Sequence, residues 1–286
     1  MRCRHLYRFT WLFLAVAACY VGAAEDSASY SQPTPATAWQ LGIAAGHGQV
    51  SSPVRGAANR SLWLIADVAW YGSTFYLDNT EAGGFIWDSA DKRGSAQAYV
   101  TYNREAQLFD NHAISDITVP FLPFNSAARP ASTPDVQAQQ LASRHYAVHA
   151  GARLVYEYAA SRVSFSIERD ISGTHDGYLA TAGYQMQLPV PYWQVSATAM
   201  VSWYSQHFNQ YYYGIDNRDN VSPQYHYRPA GGFRPALDIT ATHALSPAWG
   251  VVVFARYTAL SDTVTDSPVV DKNGIFSAYA GLSYHF

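Results

Sequence analysis

The feature that most constrains this chain is an alternation of apolar and polar side chains, with a period of two residues. It recurs from about residue 38 to Phe286. That period gives a β-strand one apolar and one polar face. Trp193 to Tyr204 shows it best. Trp193, Val195, Ala197, Ala199, Val201 and Trp203 share one face, opposite Gln194, Ser196, Thr198, Ser202 and Tyr204, with Met200 the one apolar side chain among them. Residues 145–158, 176–188, 233–243 and 276–286 repeat the pattern. Aromatic residues close both ends of the apolar face, as in the two girdles of a strand that crosses an outer membrane. A soluble β-sandwich is the rival reading, but its wet faces are normally rich in Lys, and this chain has only Lys92 and Lys272. Charged residues make up 14% and aromatic residues 15%, against roughly 25% charged in an ordinary soluble domain. Beyond the N-terminus no uncharged apolar run approaches the ~20 residues of a membrane helix. The expected fold class is all-β: a transmembrane antiparallel up-and-down β-barrel of about 12 strands, following an N-terminal signal peptide.

The alternation places strands at about 38–48, 61–71, 74–79, 82–89, 95–104, 143–158, 162–171, 176–189, 192–206, 229–243, 249–262 and 275–286. Counted back from Phe286, the short connections 159–161, 190–191 and 244–248 fall on one side, the periplasmic one. The long connections 105–142, 207–228 and 263–274 fall on the other. Such asymmetry is usual in bacterial barrels. Pro235 breaks the pattern, since it removes a ladder donor. A bulge there, or a strand that begins only at Gly231-Gly232, would accommodate it. The loop 105–142 carries Pro120, Pro123, Pro130 and Pro134 among Val119, Phe121, Leu122 and Phe124, a composition suited to plugging the barrel or packing at its outer rim.

The N-terminus has the three-part layout of a secretory leader. Arg2, Arg4 and Arg8 precede an uncharged run from Phe9 to Ala24, which ends in Gly22-Ala23-Ala24 before Glu25. Residues 1–24 are therefore expected to be a signal peptide, 25–37 a polar periplasmic lead-in and 38–286 the barrel. Val16-Ala17-Ala18-Cys19 also reads as a lipoprotein processing box, which would leave a lipidated Cys19. Cys3 and Cys19 are the only cysteines, so a mature chain cleaved after Ala24 has no disulfide and no thiolate chemistry. The leader removes three Arg and no acid from 18 basic and 21 acidic residues. The mature chain thus holds 15 basic against 21 acidic residues, a net charge of −6, and nucleic acid is not an expected partner.

Signatures of chemistry are sparse. No G-x-S-x-G elbow occurs, and the predicted outer faces lack the His and Ser that lipid hydrolysis at the rim would need. His145 and His149 lie four residues apart on one predicted strand, about 13 Å, too far to share one metal. Acidic loop residues Asp216, Asp219, Asp262, Asp266 and Asp271 match no calcium-loop spacing. Catalysis, cofactor and metal are accordingly not expected. The inward-facing charges are Asp67, Arg153, Glu157, Glu168, Arg234, Asp238 and Arg256. Paired with one another they would plug the lumen, because an unpaired buried charge costs several kcal/mol. Unpaired, Arg153, Arg234 and Arg256 would line a path for a small anion.

Three motifs carry a resemblance. Tyr212-Tyr213-Gly214-Ile215 opens a long loop, Asp266-Ser267-Pro268-Val269-Val270 precedes the last strand, and Gly281-Leu282-Ser283-Tyr284-His285-Phe286 closes the chain. In this order and spacing they resemble the MipA/OmpV family of outer-membrane proteins, most strongly over 190–286, with His285 a departure inside the last motif. The resemblance implies an outer-membrane barrel. It also implies, by its named member, a scaffold that binds a murein-degrading transglycosylase and a murein synthase. None of the motifs is catalytic. Read architecturally, Ser267-Pro268 supplies a turn and Tyr212 and Tyr213 an aromatic rim. Leu282, Tyr284 and Phe286 form the lipid-facing signal read by the barrel-assembly machinery. Outer-membrane lipid and lipopolysaccharide are the expected surroundings. Two functions remain open on the sequence: a non-catalytic scaffold for murein enzymes, and a narrow solute channel.

Overall fold

The computed structural model describes residues 39–109, 116–118 and 136–286. The expected leader, the lead-in and most of the Pro-rich loop lie outside the described residues. Thirteen strands form one sheet: β1 (Trp39–Val50), β2 (Arg60–Tyr71), β3 (Phe75–Asp78), β4 (Glu81–Asp88), β5 (Gly94–Asn103), β6 (Asp116–Thr118), β7 (Ala147–Tyr158), β8 (Ser161–Asp170), β9 (Tyr178–Val190), β10 (Trp193–Tyr204), β11 (Gly232–Ala244), β12 (Trp249–Ala259) and β13 (Gly274–His285). Twelve of them pair antiparallel with their sequence neighbours, and β1 pairs with both β2 and β13, which closes the barrel. The extra strand, β6, lies parallel against Leu62–Ile65 of β2. It does so where the short β3 leaves that edge free, since β3 reaches only Ala69–Tyr71.

All twelve expected strands are present, with ends shifted by a few residues. The largest shift is at 143, where β7 begins at Ala147; β11 begins at Gly232 rather than 229, and β12 ends at Ala259 rather than 262. Pro235 needs no bulge. It pairs in register with Val201 of β10, and the ladder to β12 begins only at Ala236. The one bulge in the closing region lies in β1, where Gly46 and His47 together oppose Trp63 of β2. The His47 and Trp63 rings meet there at a tilt, with centroids 4.5 Å apart.

The outward faces are aromatic at both ends, as in Tyr178 against Trp203 near the long loops and Trp249 against Tyr284 near the short turns. Large apolar side chains stay exposed along the wall between them, including Leu154, Phe165, Ile167, Leu237 and Ile239. Leu282 and Phe286 belong to the same outward face. This is a surface built for hydrocarbon rather than water.

The long loops fold over the mouth of the barrel and create its buried core. Helix α1 (Gln206–Tyr213) and the short helix α2 (Asp262–Thr265) belong to this lid. Ser205 caps α1 by accepting from Phe208 N, and Gly214 ends it by donating to Asn209 O and Gln210 O. Phe208, Tyr212, Tyr213, Ile215, Val264 and Val269 are each 0% exposed, and Val54, Ala106, Phe109, Val136 and Val270 pack on them. Each such large apolar side chain contributes roughly 1.5–3 kcal/mol by leaving water. Tyr212 and Tyr213 therefore do not form an aromatic rim. Their rings are too deeply packed by α1 and the flanking loops to reach the lipid.

Candidate functional site

Inward residues are identified by contacts that skip a strand, which only the concave face permits. Arg153 of β7 makes a two-pronged pair with Glu81 of β4 at 2.8 and 2.7 Å. Its guanidinium lies 4.3 Å from the Tyr99 ring centre. Tyr99 of β5 donates to Glu168 of β8 at 2.8 Å. Asp67 accepts from Asn79 Nδ2 at 3.1 Å, tying the β3–β4 turn to β2. Arg256 bonds Asp238 at 3.1 Å, and Arg162 bonds Glu157 at 2.7 Å. The strand-skipping contacts place Arg153 and Glu168 on the concave face, and each of these predicted charges has a partner. Glu81 was not legible as one of them, because its strand is too short to show its phase.

These charges divide the lumen into two zones. Toward the short turns it is wet: Asp67, Glu157, Arg162 and His285 are exposed, and midway along the wall the Arg256 side chain is still 49% exposed. Toward the long loops it is sealed. Arg234 is 2% exposed and sits inside an aromatic box. Its guanidinium lies 4.0 Å from the Tyr204 centroid and 5.1 Å from that of Tyr213. It bonds Glu105 at 2.5 Å and Asn209 Oδ1 at 2.8 Å. Tyr213 Oη also donates to Glu105 at 2.5 Å. Arg234 is thus locked under α1 rather than lining an open path with Arg153 and Arg256.

Two further nodes hold the lid down. Arg144 and Asp219 form a fully buried pair at 3.1 Å. Arg144 also donates to the Tyr212 and Gly214 carbonyls. Burial pushes the Arg144 guanidinium below its usual pKa, and Asp219 pulls it back. Ser267 Oγ donates to the Tyr213 carbonyl at 2.7 Å. Two of the family motifs, 212–215 and 266–270, therefore meet in space. Asp266 caps α2 by donating its N–H to Asp262 O, and Pro268 follows in the turn beyond. Of the loop acids, Asp219 is committed to Arg144, and Asp216 bonds Arg218 at 3.0 Å. Among the described residues no group of three or more His, Cys, Asp or Glu side chains is placed to hold a metal.

A fourth node was not legible in sequence. His149 of β7 is fully buried and touches His175 of the β8–β9 loop, Nε2 to Nε2, at 3.0 Å. Its Nδ1 lies 3.2 Å from Glu168. The alternation gave the inward phase of His149 but could not show which loop residue would fold onto it.

The family model described as MltA-interacting protein MipA matches residues 41–286. The chain is similar to the outer-membrane protein YiaT of Escherichia coli, 25% identical over 252 residues that span 88% of this chain and 93% of that protein. It is similar to the MltA-interacting protein of Escherichia coli, 23% identical over 248 residues, 86% of this chain and 90% of that one. OmpV of Vibrio cholerae matches over 124 residues at 24% identity, covering 43% and 48% of the two chains.

Proposed function

Because the chain belongs to the MipA family, we propose that this outer-membrane barrel is a non-catalytic interaction protein that holds murein-remodelling enzymes at its periplasmic face. The observation that supports this reading most is the polarity of the lumen. Among the described residues Arg234 and the lid side chains are buried at the long-loop end, while Glu157 and Arg162 stay exposed at the short-turn end. A protein built to pass solute needs two open ends, whereas a docking protein needs one presented face. The presented face comprises the turns at 72–74, 89–93, 159–160, 191–192 and 245–248, with the exposed Glu157 and Arg162 beside them. Tyr192 projects from its turn at 89% exposure. It does so with a positive φ of 66°, a conformation that a bulky residue rarely adopts. Exposed aromatic residues are the usual anchors of protein interfaces.

The relative named MltA-interacting protein suggests the partner: a murein transglycosylase of the MltA type. The test is direct binding between purified components. The mature barrel in nanodiscs is expected to bind a purified MltA-type transglycosylase, and Tyr192→Ala is expected to weaken that binding at least tenfold. Absence of saturable binding by the folded barrel would reject the reading.

A further inference from the structure

The His149–His175 contact has a direction that its neighbours impose. Gly177 N–H donates to His175 Nδ1 at 2.9 Å, so that nitrogen carries no proton. In a neutral ring the proton must then sit on Nε2, which donates to His149 Nε2 at 3.0 Å. His149 Nε2 is therefore an acceptor. Its proton lies on Nδ1, aimed at Glu168 at 3.2 Å. Glu168 also accepts from Tyr99. The chain of donors runs one way, from Gly177 through both rings to Glu168, and every ring nitrogen is used.

Such a chain has no place for another proton. A proton added to His149 Nε2 turns His175 Nε2 into an acceptor and forces a hydrogen onto His175 Nδ1. A proton added to His175 goes to the same nitrogen. In both cases two N–H groups face each other across the 2.9 Å contact with Gly177. Gly177 is packed closely against α1: a Cβ there would lie 2.7 Å from Phe208 N and from Ser205 Oγ. The contact also bears on the lid directly. Tyr178 N–H donates to Ser205 Oγ, the cap of α1. His175 packs edge-on against Phe208 at 4.9 Å and lies 5.7 Å from Tyr212.

We propose that the His149–His175 pair is a proton-operated latch, and that uptake of one proton releases the 171–178 loop and α1 from the barrel mouth. The proposal is independent of the scaffold reading. The charged and titratable groups that face the pair are Glu168 and Asp170 on β8, Tyr99 on β5, Arg153 on β7, Asp176 in the loop, Tyr211 and Tyr212 on α1, and Glu105 beyond β5. Asp170 already accepts from the His175 and Asp176 amides at 2.6 and 2.9 Å and from Ser172. Burial holds the His175 imidazole down to about 4, despite the nearby Asp170. An opened loop would return it to about 6.5. Because the closed state takes up the proton less readily, closure is intact above about pH 6.5. It weakens up to tenfold per pH unit as pH falls from there toward 4.

Hydrogen exchange of the folded mature protein in nanodiscs, corrected for the intrinsic effect of pH on exchange, reads this directly. Between pH 7.5 and pH 4.5, protection of 171–178 and 205–213 should fall at least tenfold, while β10 stays protected. The double variant His149→Gln/His175→Gln, verified as folded by its heat-modifiable gel migration, should lose that response. Wild-type protection unchanged by acid, or an equal response in the variant, overturns the proposal. If the variant does not fold, ring carbon shifts of labelled histidine in the wild type decide. At pH 7.5 His149 should carry its proton on Nδ1 and His175 on Nε2, and any other assignment overturns the latch.

Discussion

Arg234→Ala is expected to destabilise the lid by about 3–5 kcal/mol while leaving the barrel wall assembled. The guanidinium holds Glu105 and Asn209 together beneath α1 and fills the space between the Tyr204, Phe208 and Tyr213 rings. Removing it leaves Glu105 nearly buried, with Tyr213 as its remaining donor. Breaking a buried pair by deleting one partner costs that much because the other charge stays behind uncompensated. The wall has its own ladders and does not draw on this node. Externally added protease should therefore nick 205–231 in the variant, with the heat-modifiable transition of the barrel almost unchanged. Arg234→Met with Glu105→Leu should restore most of the loss, since an apolar pair of similar volume replaces two buried charges. If the double variant loses the sum of the two single losses, the node is not a coupled pair and the assignment is wrong.

The second large effect is expected at the closing seam. Gly46 sits in the β1 bulge, and a Cβ built there lies 2.1 Å from the Ala280 carbonyl oxygen and 2.4 Å from Gly281 Cα. Both obstacles are backbone atoms of β13, so no rotamer change relieves them. Gly46→Val must push β1 away from β13 along a ladder that runs from Gly42–His285 to Val50–Ser277. A barrel that cannot close exposes two unpaired edges in a medium with no water to satisfy them. The heat-modifiable folded form should be lost. Gly173→Ala is the control. Gly173 has a φ of +70° but open space around it, so alanine should cost only about 1 kcal/mol and leave assembly intact. A Gly46→Val protein that folds like wild type would show that the seam lies elsewhere.

The wall was legible in sequence because a barrel strand shows its phase at every second residue. Trp193–Tyr204 and 276–286 need only the alternation and their terminal aromatic residues to be placed and oriented. The lid was not legible, because its order comes from contacts distant in sequence. Gln206–Tyr213 is a helix of polar and aromatic residues that, with its neighbours, reads equally well as a strand end. Only the Ser205 cap and the i, i+4 spacing of Phe208 and Tyr212 hint at it. Alternation showed that Arg234 faces inward, but not that α1 folds over it and turns a candidate selectivity residue into a sealed anchor. His175 lies in a loop, where periodicity says nothing. The Tyr212-Tyr213 motif carries a family resemblance in sequence, and its structural part comes from a distant residue, Ser267, which donates to the Tyr213 carbonyl.

The lid is expected to seal the barrel toward the outside. Single-channel recording of the folded mature protein in a planar bilayer at pH 7.5 tests it most directly. The buried lid predicts a silent barrel, with current steps emerging in Arg234→Ala, where the seal is broken. Sustained conductance by the wild-type barrel at that pH would contradict the claim and favour a solute channel over a docking protein.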